Sequence, residues 1–173
     1  MANPPAFLTL RRNRDQVGRR EVPIRRTLVA ILSLFLVAGL LNVFGQRPQT
    51  SQAAASAASL KLYAPSRVRS GLIYEARFTI NAHEDLKNAM LELAPGWIEG
   101  TTINTIEPGP IGEASRNGKL LFTLGHIRAG TTYIFFMQLQ VNPTNVGRRS
   151  QDVALYDGGR LLTRIDRTIT IFP

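Results

Sequence analysis

The polar side chains that could do chemistry in this chain are few, and they are poorly gathered. The densest cluster is His83-Glu84-Asp85, set between two apolar runs. Its imidazole and two carboxylates are the right ligand types for a cation, but their spacing matches no recognised metal pattern. A solvated loop is the plainer expectation. His126, between Gly125 and Ile127 at an expected strand end, reads as a structural or surface histidine. A hydrolase needs a nucleophile, a base and an orienting group brought together. The serines here fall in linker or loop contexts, with no G-x-S-x-G elbow. Glu107, in Glu107-Pro108-Gly109-Pro110, marks a rigid turn, and the glycines are scattered at turns rather than joined in a phosphate-cradling loop. With no cysteine there is no disulfide, thiolate metal site or cysteine nucleophile. No catalytic, cofactor-binding or metal-binding set is expected, and the expected function is not enzymatic.

The aromatic side chains leave room for binding. Trp97, the single tryptophan, follows Pro95-Gly96. It either plugs the core beneath that loop or presents an exposed ring to a partner. Trp97, Tyr63 and His83 are the candidate contacts for a ligand or partner. Two classes of function follow. One is a protein-interaction or envelope-assembly module that uses loops or a sheet edge. The other is a carbohydrate- or cell-wall-binding module in which Trp97 and Tyr63 or Tyr74 stack on sugars.

These residues need elements to position them, and the first is apolar. Thr27 to Phe44 reads TLVAILSLFLVAGLLNVF, eighteen residues without a charge. As a helix this run is about 27 Å long, close to the hydrocarbon core of a bilayer. Only Ser33 and Asn42 interrupt it, and a soluble core helix is not apolar on every face. Before it lie seven arginines, Arg11, Arg12, Arg14, Arg19, Arg20, Arg25 and Arg26; after it only Arg47 precedes Lys61. The positive-inside rule makes Arg19, Arg20, Arg25 and Arg26 the topology determinants, with the N-terminus cytoplasmic and the C-terminal part outside. Membrane lipid is therefore an expected partner.

The formal net charge is +9, but Asp15 and Glu21 are the only acids in the arginine-rich arm, and from Ser59 onward basic and acidic residues nearly balance. The arm has one aromatic, Phe7, so base stacking has little to use and no nucleic acid partner is expected. Absence of cysteine favours a bacterial envelope protein over a stapled secreted module. A retained anchor in the cell membrane is the leading expectation. The alternative is a cleaved export signal, since Ala53-Ala54-Ala55 supplies small residues for a peptidase and Arg25-Arg26 loosely resembles a twin-arginine signal.

Gly45 to Ala58, GQRPQTSQAAASAA, shows no apolar periodicity and reads as a tether. Strand patterns then follow one another. Tyr74, Ala76, Phe78 and Ile80 alternate with Glu75, Arg77 and Thr79; Tyr133, Phe135, Met137, Leu139 and Val141 form a second regular face. Shorter runs surround Leu60, Leu91, Ile103 and Phe122, and Asp157-Gly158-Gly159 joins the last two strands. Prolines fall between the runs, and no amphipathic helix appears. The expected fold is an all-β antiparallel sandwich of about seven or eight strands behind one transmembrane helix. Its parts are a disordered basic arm at 1–26, the helix at 27–44, a linker at 45–58 and the sandwich at 59–173.

The order of features adds a family resemblance. A strand with Tyr74, Phe78 and Ile80 leads through Asn81 to a second ending in Leu93-Ala94-Pro95-Gly96-Trp97; later come Gly125-His126-Ile127, Ala129-Gly130-Thr131-Thr132-Tyr133 and a long aromatic strand. From about Lys61 to Phe172 this resembles the Ig-like modules of bacterial surface proteins, including the conserved-repeat and CARDB-like adhesion families. The resemblance implies an Ig-like β-sandwich; the residues themselves leave a protein of the cell envelope as the expected partner, with polysaccharide as the other candidate.

Overall fold

The computed structural model describes residues 21–43 and 45–173. It divides into two compact units, 1–43 and 44–173. In the first, helix α1 spans Glu21–Leu40 and buries none of its residues. The helix begins earlier than the apolar run and takes in Arg25 and Arg26, because helical hydrogen bonding does not require apolar side chains. Thr27 Oγ1 returns to the Pro23 carbonyl at 2.9 Å. It also ends earlier: Asn42 adopts a left-handed φ of 54°, which a helix cannot continue through. By length and composition α1 is able to cross a membrane. Residues 21–26 of the arm are helical rather than disordered, while the disorder expected for 1–20 and the topology roles of Arg19 and Arg20 lie outside the described residues.

The second unit is a β-sandwich. One sheet has the order β1-β2-β4-β9-β6, formed by Pro48–Ala54, Ala58–Pro65, Ile73–Ala82, Thr132–Val141 and Thr101–Glu107. The facing sheet has the order β12-β11-β5-β8-β7, formed by Arg160–Ile165, Val153–Asp157, Leu86–Leu93, Lys119–Ile127 and Gly112–Arg116. A small sheet, β10-β13-β3, joins Gly147–Ser150, Thr168–Phe172 and Arg67–Arg69, with β13 and β3 parallel. The period-two faces point inward as expected. Tyr74, Ala76, Phe78 and Ile80 of β4 oppose Leu139, Met137, Phe135 and Tyr133 of β9. Phe78 lies 5.5 Å from Trp97 and 5.9 Å from Phe135, which lies 5.2 Å from Phe122 in the other sheet. This aromatic chain ties the two layers together.

Among the described residues thirteen strands replace the expected seven or eight. The largest correction concerns the linker. Residues Pro48–Ala54 are not a tether but β1, paired antiparallel with β2 from Pro48↔Pro65 to Ala54↔Ser59. As an edge strand, β1 needs no alternating apolar face to be held: backbone pairing carries it, and only Ala53 packs on the core. Strands β3, β7 and β10 are short and polar, so periodicity does not reveal them. The final run breaks into β12 and β13 at Asp166-Arg167, where Arg167 N donates to Asp152 Oδ1 and Gln151 N to the Arg167 carbonyl. Tight packing fixes the turn Pro95–Trp97 against β10. A Cβ on Gly96 would collide with the Ser150 carbonyl.

Candidate functional site

The three candidate contact residues are scattered. Trp97, one reading of which was an exposed contact, is fully buried. The 3-10 turn Pro95–Trp97 sets the indole against Phe78 in the core, where burial stabilises it. Tyr74, considered for sugar stacking, is also inside, at 2% exposure. Tyr63 is 43% exposed on the outer face of the first sheet. His83 sits far along the chain's path from it, in the exposed loop after β4, with Nδ1 3.1 Å from the Ser56 carbonyl. Its neighbours serve other ends: Asp85 Oδ1 accepts from Ala129 N at 2.8 Å and lies 3.9 Å from His126 Nε2. The His83-Glu84-Asp85 cluster therefore pins two loops to the sandwich, and its side chains do not converge.

A surface the sequence did not single out lies on the outer face of the β12-β11-β5-β8-β7 sheet. Cross-strand pairing places Leu161, Tyr156 and Met90 in one row and Arg164, Ala154, Glu92 and Leu121 in the next. Two shallow clefts of about 70 and about 340 Å³ adjoin here and share Glu92, Lys119 and Tyr156. Leu161 is 51% exposed in the first. Ion pairs frame the apolar rows: Lys119 Nζ meets Glu92 Oε1 at 2.7 Å, and Arg164 Nη2 meets Asp152 Oδ2 at 2.8 Å while its Nε bonds Asp166. Hydrogen bonds to Asp166 and Asp152 hold Arg164 above the ordinary arginine range. The face is a strip of mixed apolar and charged residues whose charges are paired with one another. Its signal in the sequence was weak, because the outward residues of buried strands were read only as the polar half of an alternation.

The other broad face belongs to the β1-β2-β4-β9-β6 sheet. Pairing aligns Thr50, Tyr63, Arg77, Phe136 and Glu107 across all five strands. Strand spacing puts Tyr63 and Phe136 about 10 Å apart, with Arg77 between them.

Inside the same unit is a buried polar group. Gln151 Nε2 donates to the Tyr74 hydroxyl at 2.9 Å, and Arg167 Nη2 donates to the Pro65 carbonyl at 2.6 Å. The Arg167 guanidinium also lies over the Trp97 ring, 5.6 Å from its centroid. Burial pushes Tyr74 up to about 12, opposed by the Gln151 hydrogen bond and the charge of Arg167. Burial likewise pulls Arg167 down to about 10, leaving it charged at neutral pH. The group locks the small sheet to the sandwich and is closed to a ligand.

No protein-family model matches the chain, and no curated protein does. Solved structures match at the level of general shape. The crystal structure of the chitin-binding domain of a Pyrococcus furiosus chitinase is 14% identical with a TM-score of 0.40, over 67% of this chain and all of that one. The solution structure of the chitin-binding domain of the P. furiosus chitinase gives 18% and 0.39, over 64% and 96%. AvmM, described as catalysing macrocyclization in alchivemycin A biosynthesis, gives 4% and 0.42, over 75% and 90%. At these identities and TM-scores neither ligand nor activity passes to this chain.

Proposed function

We propose that this chain is a single-pass membrane protein whose β-sandwich lies outside the cytoplasm and binds another envelope protein without catalysing a reaction. The observation that carries the binding half is the outer face around Tyr156 and Leu161. It is broad, shallow and half apolar, with its charges already paired, which suits a protein surface better than a small substrate. Support for the membrane half comes from α1, whose 20 residues make about 30 Å of helix, and from the arginines at its N-terminal side. The likeness to conserved-repeat and CARDB-like modules enters at the level of the fold alone.

The test is in-cell photocrosslinking from Tyr156 and from Leu161, with Glu84 at the far loop as the control position. A discrete protein adduct from the first two positions and none from Glu84 is the expected outcome. A second reading, a polysaccharide bound across the other sheet, is favoured by the row Tyr63, Arg77 and Phe136. If purified envelope polysaccharide bound the chain, the binding were lost on Tyr63→Ala, and no protein crosslinked, that second reading would replace the first.

A further inference from the structure

The small sheet carries an unbalanced charge. Pairing sets Arg148 of β10 opposite Thr170 of β13, and Thr170 opposite Arg67 of β3. Opposite residues in adjacent strands share a face, and Arg69, two residues beyond Arg67, shares it too. The inner face of this sheet is Val68, Ile169 and Ile171, all buried; Arg69 and Arg148 are exposed and Arg67 half-buried. Arg47 belongs to the same cluster through the backbone. Its carbonyl accepts from Ser66 N, and the Ser66 carbonyl accepts from Thr170 N. Among the described residues Arg47, Arg67 and Arg148 form no ion pair with a carboxylate, while the ion pairs that do form gather on the other sheet or at the far loops. The acids in adjoining segments are Glu75, Glu99, Asp152 and Asp166; the last two pair with Arg164, and none is paired with these arginines. Arg69 Nε donates to the main-chain oxygen of Pro173 at 3.3 Å, and its side chain is exposed. Val146, immediately before β10, adds an exposed apolar side chain beside the arginines.

Position in the chain gives this charge a meaning. Arg47 follows Leu40, the last residue of α1, by seven residues, which span at most about 25 Å even fully extended. We infer that the outer face of the β10-β13-β3 sheet, with Arg67, Arg69 and Arg148 on it and Arg47 beside it, docks on the anionic headgroups of the bilayer that α1 crosses. This rests on the membrane-spanning reading of α1. Each arginine near an anionic surface shifts the docked-to-undocked ratio by about fivefold, so three together shift it by about a hundredfold. The attraction acts only within a Debye length, and the short connection limits how far the face can stray from the bilayer, so that it can reach that range. Docking would leave the Tyr156 face free for a partner.

The chain has no cysteine, so one fluorophore can be placed at will. The full-length chain, labelled at Thr168→Cys on the arginine face or at Glu84→Cys in the far loop, is reconstituted in vesicles carrying a headgroup-linked acceptor. The vesicles are phosphatidylcholine alone or phosphatidylcholine with phosphatidylglycerol. Added phosphatidylglycerol should raise energy transfer at Thr168→Cys and not at Glu84→Cys. The increase should vanish near about 1 M salt, where the Debye length is about 3 Å, and in the triple variant Arg67→Gln, Arg69→Gln, Arg148→Gln. Should the triple variant misfold, the salt arm on the otherwise native chain answers the same question. Equal transfer in both lipids, in a chain that floats with both vesicles, overturns the docking and leaves the anchor standing. A chain that floats with neither overturns the anchor, and the docking with it.

Discussion

Tyr74 and Trp97 show how one residue type can be read two ways from sequence. Both are amphipathic rings that serve equally in a core or at a contact, and only packing separates the roles. For Trp97 the local signal of Pro95-Gly96 was consistent with a plug, and the turn buries it. For Tyr74 the alternation with Glu75 and Arg77 already placed it inside, but its hydroxyl's partner, Gln151, is 77 residues away and had no local signature. Tyr74→Phe should destabilise the sandwich by about 1–3 kcal/mol, since the Gln151 amide then loses its acceptor. The same hydroxyl titrates late. Its folded value lies above that of an exposed tyrosine, so its contribution is whole below about pH 10 and is lost as the pH climbs toward about 12. In an absorbance titration of the folded chain, Tyr74 should be the last of the four tyrosines to ionise, and Tyr74→Phe should remove that final step. A titration complete by about pH 11 with the fold intact would contradict the burial.

At the scale of elements, long alternating strands were legible and short polar ones were not. Strands β4 and β9 each present four or more inward apolar residues, enough to fix both type and register. Strand β7, Gly112–Arg116, presents none that is buried, yet it pairs along its length with β8. The missing signal was the turn: Asn117-Gly118, with φ of 52° and 74°, is the two-residue loop that folds β7 back on β8. Reading that dipeptide would have found the strand. Gly118→Ala puts a side chain in the left-handed region at a cost of about 1–2 kcal/mol. Its Cβ would meet only Pro95 at an ordinary distance, so strain rather than collision is tested. Amide exchange in Gly112–Arg116 should accelerate well before exchange in β4 or β9. Uniform protection across the sandwich would show that the turn does not hold β7.

For the whole molecule, the two-part plan of apolar helix and β-sandwich was plain in the sequence, while the boundary between them was misplaced. Alanine and glutamine carry no period, so Pro48–Ala54 looked like slack chain, although Ala53 rests on the core and Ala57 and Ala58 are buried. This changes the weight of the processing alternative: cleavage among these alanines would strip β1 from the sheet and expose the β2 edge. The intact chain recovered from membranes should therefore keep the mass of the unprocessed sequence. Leu34→Arg together with Val37→Arg should release it from alkali-washed membranes, because each charge at mid-helix opposes insertion by about 2.5–3.5 kcal/mol. Retention of that double variant would mean that α1 is not what holds the chain.

The pairing of β1 has a mechanical side as well. A load drawn on the N-terminal end of β1 along the strand runs parallel to its backbone. The hydrogen bonds between β1 and β2 lie across that direction. The pull shears seven paired residues at once instead of unzipping them singly, so the strand mistaken for a tether is built as the fastening.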